Sequence, residues 1–305
     1  MPSQTLPYRG RFAPSPTGPL HKGSLVAALA SYLEARKHNG QWLVRMEDVD
    51  ELRNVKGAAD CILRSLEAYG FEWDEDILYQ TQRKQAYSQA LETLRHQALI
   101  YPCTCSRKSL KAKAAQGEIS TGQSGYIYPG FCSNKHFSDF NPDDYAVRIK
   151  VTKENFSFTD ELLGNCTQNL KNDSGDFVIR RRDGLFAYQL AVVVDDADQN
   201  ITHIVRGADL LDSTPRQLYL QQCLDYSEPE YAHLPLILCE NGDKLSKQTG
   251  AGGIGDKADN ALLVECLDFL GQKPPRGLEK DTLANVWQWA RENWDLACLM
   301  PDVIT

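Results

Sequence analysis

Within its first fifty residues the chain alternates a strand, a turn that no strand can pass through, a helix and a second strand. Arg11-Phe12-Ala13 is strand-like. Pro14-Ser15-Pro16-Thr17-Gly18-Pro19 ends it, because proline removes ladder donors and Gly18 supplies turn freedom. From Gly23 onward Leu25, Ala28, Leu29, Tyr32 and Leu33 hold one apolar face at helical spacing. Gln41-Trp42-Leu43-Val44-Arg45-Met46 forms the next strand and runs into Glu47-Asp48-Val49-Asp50. A strand–helix–strand unit of this length demands a parallel sheet, with a ligand site at the strand C-termini. The expected fold class is therefore α/β, a doubly wound parallel sheet.

Further helices are expected near 55–70 and 82–98, the second with Tyr87, Ala90, Leu91, Leu94 and Ala98 on one face. The stretch 101–140 is rich in Cys, Lys and Gly with little periodicity and reads as an insertion; 144–180 reads as short strands and turns. Leu190-Ala191-Val192-Val193-Val194 is continuous and rich in β-branched residues, so it is expected to be a strand buried on both faces, ending at Asp195-Asp196. The rest is expected to be helical after Gly255. The resulting division is 8–100 for the first half of a nucleotide-binding domain, 101–180 for an inserted subdomain, 181–255 for the second half and 256–305 for a helical C-terminal region.

A net charge of −8 speaks against a protein that coats nucleic acid, though not against a local basic groove. The N-terminus MPSQTLPYRGRF has no apolar signal core, and no apolar run approaches the ~20 residues of a membrane span. Nine cysteines, an odd number at mostly unrelated spacings, fit reduced thiols in a cytoplasmic protein.

Two segments carry candidate chemistry. The Pro/Gly turn delivers His21 to a helix start, where backbone N–H groups and the helix dipole favour phosphate; Gly23 lets a nucleotide come close. Far downstream, Asp243-Lys244-Leu245-Ser246-Lys247-Gln248 sits between Gly242 and Gly250, and two lysines three apart there could close over a triphosphate.

Taken together, His21-Lys22-Gly23-Ser24 and Lys244-Leu245-Ser246-Lys247-Gln248 resemble the paired signatures of class I aminoacyl-tRNA synthetases. Arg11-Phe12-Ala13-Pro14-Ser15-Pro16-Thr17-Gly18, Arg45-Met46-Glu47-Asp48-Val49-Asp50, Phe186-Ala187-Tyr188-Gln189-Leu190-Ala191 and Val205-Arg206-Gly207-Ala208-Asp209-Leu210-Leu211 narrow the likeness to the glutamyl type. The residues that follow Gln248 are too few for the helical anticodon-binding region of glutamyl-tRNA synthetases, so the chain is similar to the truncated glutamyl-queuosine tRNA(Asp) synthetases. That resemblance implies a Rossmann-like catalytic domain, ATP and Mg²⁺, L-glutamate as substrate and queuosine-bearing tRNA(Asp) as acceptor, in a protein expected to be monomeric.

Glutamate offers two carboxylates and one ammonium, so its pocket needs two cations and one anion. Arg11 and Arg206 suit the carboxylates, Glu47 the ammonium and Tyr188 the side-chain end, with Ser15 as a further polar contact and Phe12, Ala13 and Pro14 alongside. His21, Gly23 and Lys247 are the expected ATP contacts; His21, Lys244 and Lys247 are the expected catalytic set. Cys103, Cys105 and Cys132 offer three soft thiolates for Zn²⁺. The same resemblance makes Tyr128 the fourth ligand, although His136 is the better donor by chemistry. Two other readings stay open: charging of the 3′ end of tRNA(Glu), and a non-catalytic paralogue that binds RNA or a protein.

Overall fold

The computed structural model describes residues 7–122, 125–237 and 252–299. Strands β1 (Arg9–Phe12) and β2 (Gln41–Met46) pair in parallel around helix α1 (Lys22–Lys37), and β3 (Leu78–Tyr79) extends the sheet beyond β2 after helix α2 (Ala58–Ala68). Then come α3 (Lys84–His96), β4 (Ile100–Cys103), α4 (Arg107–Ala115), β5 (Thr121–Gly122), β6 (Gly125–Tyr126), β7 (Ala146–Ile149), β8 (Asn155–Asp160) and β9 (Gly164–Asn169). The chain continues with α5 (Leu170–Asp173), β10 (Phe177–Arg180), α6 (Tyr188–Asp198), β11 (His203–Gly207), α7 (Thr214–Leu224), β12 (Glu230–Leu234), α8 (Asn260–Phe269) and α9 (Leu283–Asn293).

Strands β11 and β12 pair in parallel around α7. They flank β1 on the side away from β2: Thr202 N–H donates to the Arg9 carbonyl at 2.9 Å, and Arg9 N–H donates to Thr202 Oγ1 at 2.8 Å. Across that contact the two sheets, β3-β2-β1 and β11-β12-β8-β9, run on from one another with the strand order reversing between β1 and β11, which places a crevice beyond their C-terminal ends. Alternation along the strands covers both faces. Trp42, Val44, Met46 and Val205 pack into a core with α1, α2, α8 and α9, while Leu43 and Ile204 pack into a second core with α3, α6 and α7.

Residues 100–103, 146–149 and 177–180 form a separate antiparallel sheet in the order β10-β7-β4. Beside it Tyr101, Cys103, Leu110, Ile119, Tyr128 and Cys132 make a small third core.

One expectation is overturned. Leu190–Val194 is not a strand but lies inside helix α6, all of whose residues from Leu190 to Asp196 are buried. A short apolar run looks the same in either state when every side is covered. The helix has a consequence for charge: adjacent residues lie roughly 100° apart on it rather than on opposite faces. Asp195 accepts from Gln80 Nε2 (2.9 Å) and Tyr87 Oη (2.7 Å), whereas Asp196 meets Arg11 and Arg45.

The C-terminal helices close the core over α1. Trp287 of α9 donates Nε1–H to the Tyr69 carbonyl (2.8 Å) and meets Tyr32 and Phe71 edge to face, each with centroids 5.1 Å apart. Trp287→Ala is expected to lower unfolding free energy by about 3–5 kcal/mol, read from urea unfolding curves.

Candidate active site

At the reversal point lies a cavity of about 630 Å³, lined by the β1 end and its turn (Arg11 to Ser15), His21, Gly23, Glu47, Arg53, Tyr188, Arg206 and Asp209. The turn is fixed by the strand beside it: Glu47 N–H donates to the Pro14 carbonyl (3.0 Å), and Val55 N–H to the Pro16 carbonyl (2.9 Å). Every residue expected to hold glutamate, namely Arg11, Phe12, Ala13, Pro14, Ser15, Glu47, Tyr188 and Arg206, lines this one space.

Beneath the cavity lies a buried charge network. Asp196 Oδ1 lies 3.2 Å from Arg11 Nε and 2.8 Å from Arg45 Nη2, and Arg45 reaches on to Glu47 Oε1 at 3.4 Å. Burial pushes the Asp196 carboxyl up, but Arg45 and Arg11 outweigh it and hold the group below the usual carboxylate range. Glu47 goes the other way: burial raises it, and Arg45 and Arg11 recover only part of the shift. A cation arriving beside Glu47 would favour its charged form. Tyr188 opens α6, and burial followed by the Glu47 charge pushes its hydroxyl up to about 12, so it stays a neutral donor.

Arg206 is held differently. Its Nε donates to His233 Nε2 (3.1 Å) and its Nη2 to Thr214 Oγ1 (2.8 Å). His233 Nδ1 lies 2.6 Å from Asp160 Oδ2, so the ring is the neutral tautomer that donates to Asp160 and accepts from Arg206. Burial lowers the His233 pKa, in keeping with that state. Among the described residues no carboxylate forms an ion pair with Arg206, and its Nη1 is buried without a hydrogen-bond partner. Of the two arginines at the strand ends, Arg11 is thus paired with Asp196, whereas Arg206 forms no ion pair among the described residues.

His21 caps α1: its Nδ1 accepts from Ser24 N–H at 3.3 Å. In the neutral ring that places the proton on Nε2, a donor at the helix start where phosphate is favoured. Lys22 does not line this cavity; it pairs with Glu265 of α8. Lys244 and Lys247 lie outside the described residues.

The inserted segment gathers Cys103, Cys105 and Cys132, whose sulfurs all lie within 4.8 Å of one another. Tyr128 Oη is 3.4 Å from both Cys103 and Cys105 sulfurs and accepts from Cys132 N–H at 3.1 Å. His136 is not in this group; its exposed segment caps a short turn with Asp139. The Cys132 thiol is drawn down to about 7: burial opposes the shift, but the Tyr128 hydroxyl and the Thr104 N–H outweigh it.

Arg45, Asp196, Thr214, His233 and Asp160 escaped the sequence reading as parts of the site. Arg45 carried a signal, being a charge inside an apolar strand that must find a partner. His233 and Asp160 carried none, since they meet only in three dimensions. No helix among the described residues is long and apolar enough to cross a membrane.

The model of the family described as "tRNA synthetases class I (E and Q), catalytic domain" matches residues 8–258. A glutamyl-Q tRNA(Asp) synthetase of Dechloromonas aromatica is 54% identical over 288 residues, covering 94% of each chain. The corresponding protein of Pseudomonas aeruginosa is 49% identical, covering 95% of this chain and 94% of its own. The crystal structure of glutamate-tRNA synthetase from Elizabethkingia anophelis superposes with a TM-score of 0.75 at 23% identity, over 97% of this chain and 67% of that one, which shows a shared fold. The chain belongs to the class I tRNA synthetases of the glutamyl and glutaminyl type and, within them, to the glutamyl-Q tRNA(Asp) synthetase family.

Proposed function

We propose that this protein activates glutamate with ATP and transfers it to a hydroxyl of the queuosine base at the wobble position of tRNA(Asp). The observation that carries the reading is the convergence of Arg11, Arg206 and Glu47 on one cavity at the start of α1. Arg206 binds a glutamate carboxylate, because its charge has no carboxylate partner among the described residues. Arg11, already shared with Asp196, positions the second carboxylate through its remaining donors. Glu47 takes the ammonium, and the Tyr188 hydroxyl fixes the side-chain end. Ser15 adds a polar contact, with Phe12, Ala13 and Pro14 as wall.

In the first step an α-carboxylate oxygen attacks the α-phosphorus of ATP; the bond to the β-phosphate oxygen breaks and pyrophosphate leaves. His21 Nε2–H donates to phosphate oxygens, Gly23 allows close approach, and Lys244 and Lys247 balance the departing charge. Magnesium enters with the nucleotide phosphates as part of the substrate. In the second step the acceptor hydroxyl oxygen attacks the activated carbonyl carbon and loses its proton, and AMP leaves with its phosphate oxygen. Neither step needs a covalent enzyme intermediate, so positioning and charge stabilisation do the catalysis.

The cysteine cluster fits zinc. A tetrahedral ion with Zn–S of about 2.3 Å sets its sulfurs about 3.8 Å apart and a ligand oxygen about 3.5 Å from each sulfur. Cys105 and Cys132 sulfurs lie 3.7 Å apart, and the Tyr128 oxygen lies 3.4 Å from two sulfurs. Zinc held by Cys103, Cys105, Cys132 and Tyr128 would brace a subdomain whose own core is small.

Wild-type protein is expected to label queuosine-containing tRNA(Asp), with the label surviving removal of the 3′-terminal nucleotide; loss of the label would assign 3′-end charging instead. Absence of glutamate-dependent ATP–pyrophosphate exchange, without or with tRNA, would mark a binding paralogue. Arg206→Ala should raise the glutamate concentration needed for exchange by about ten- to 150-fold, the loss of a charged hydrogen bond worth about 1.5–3 kcal/mol. Purified protein should carry one zinc per chain by metal analysis, and Cys105→Ser should carry markedly less; a metal-free wild type would overturn the zinc assignment.

A further inference from the structure

A second cavity, of about 480 Å³, opens on the other side of the turn at residues 208–213. Leu210 lines the first cavity and the next residue, Leu211, lines the second, so that one turn is a shared wall. The remaining wall comes from the β8–β9 hairpin (Phe158, Thr167, Gln168) and from Asp173 and Asp212. The two spaces differ in charge. The first contains Arg11, Arg53 and Arg206 beside Glu47 and Asp209, whereas the described lining of the second has two carboxylates and no basic side chain.

An RNA backbone would not choose that lining, since phosphate seeks Lys and Arg. A cation would. The space also offers an aromatic ring, Phe158, against which a base can stack. Gln168 adds an amide whose Oε1 is buried without a hydrogen-bond partner, an acceptor awaiting an N–H donor. Asp173 Oδ2 accepts the Asn169 N–H at 3.1 Å, and among the described residues its other oxygen makes no hydrogen bond.

We infer that this second cavity binds the acceptor base itself, a guanine-type nucleobase bearing a cationic amine and a diol, and presents one of its hydroxyls across the turn at residues 208–213 to the activated glutamate. This rests on the reading that queuosine is the acceptor. The Asp173 carboxylate holds the ammonium of the side arm, Phe158 stacks on the ring, and Gln168 accepts from the N–H edge of the base. An unmodified guanine lacks the amine and gains nothing from Asp173, so the lining discriminates as well as binds.

The test uses the full chain and two anticodon stem-loop RNAs of tRNA(Asp) sequence, one with queuosine and one with guanosine at the wobble position. Wild type should bind the queuosine hairpin at least about tenfold more tightly, the scale of one charged hydrogen bond. Asp173→Asn should shrink that preference several-fold and lower transfer to whole tRNA(Asp), whereas Gln168→Ala, which loses an acceptor for an edge both bases share, should weaken both hairpins alike and keep the preference. In Asp173→Asn, binding of the guanosine hairpin and exchange without RNA should stay within about twofold, which also certifies the fold. A preference retained in Asp173→Asn, while wild type still transfers glutamate to queuosine tRNA(Asp), would overturn the pocket and leave the function standing. A wild type that labels only the 3′ end of its tRNA would overturn the acceptor and this pocket with it.

Discussion

The ion pairs of Asp196 hold the active site together. Its carboxylate lies on α6, Arg11 is on β1 and Arg45 on β2, and all three side chains are buried. Removing one member of such a group leaves an uncompensated buried charge, a cost of about 3–5 kcal/mol. The network therefore fixes how α6 docks against the sheet, and with it the position of Tyr188 at the first turn of that helix. It also fixes the electrostatics above it. Arg11 reaches the cavity with its charge already shared, and Glu47 arrives with its charge only partly compensated by Arg45.

The second half of the cavity obtains the opposite balance by a neutral route. Asp160 orients His233, His233 accepts from Arg206, and Thr214 bridges the two. A histidine kept neutral fixes the guanidinium without cancelling its charge. A carboxylate in the same place would have fixed it equally well and left little for a substrate to neutralise. The difference between Asp196 under Arg11 and His233 under Arg206 is what gives one cavity two unlike arginines.

The parts of this design that could be read from the chain are those that repeat a local rule. The Pro/Gly turn, the α1 face and strand β2 stand close to where periodicity and turn chemistry put them. The side chains lining the cavity came from segments whose motifs are contiguous. Helix α6 failed that reading because Leu190–Val194 is covered on every side, so no polar stripe betrays a period of 3.6. The partners Asp160, His233 and Thr214 failed it for another reason: each lies in an ordinary stretch, and their relation exists only after β8, β12 and α7 meet.

That dependence on assembly extends to the pairing of the two cavities. An enzyme that joins an acid to a base-borne hydroxyl must keep a polyanion and a cationic side arm close but apart. If both shared one lining, the ammonium would be drawn to phosphate oxygens and away from the carbonyl. Here the short turn at 208–213 separates a space with three arginines, Glu47 and Asp209 from one with two aspartates and no basic side chain in its described lining. On the proposed reading, that difference in lining is what sorts the two substrates by charge.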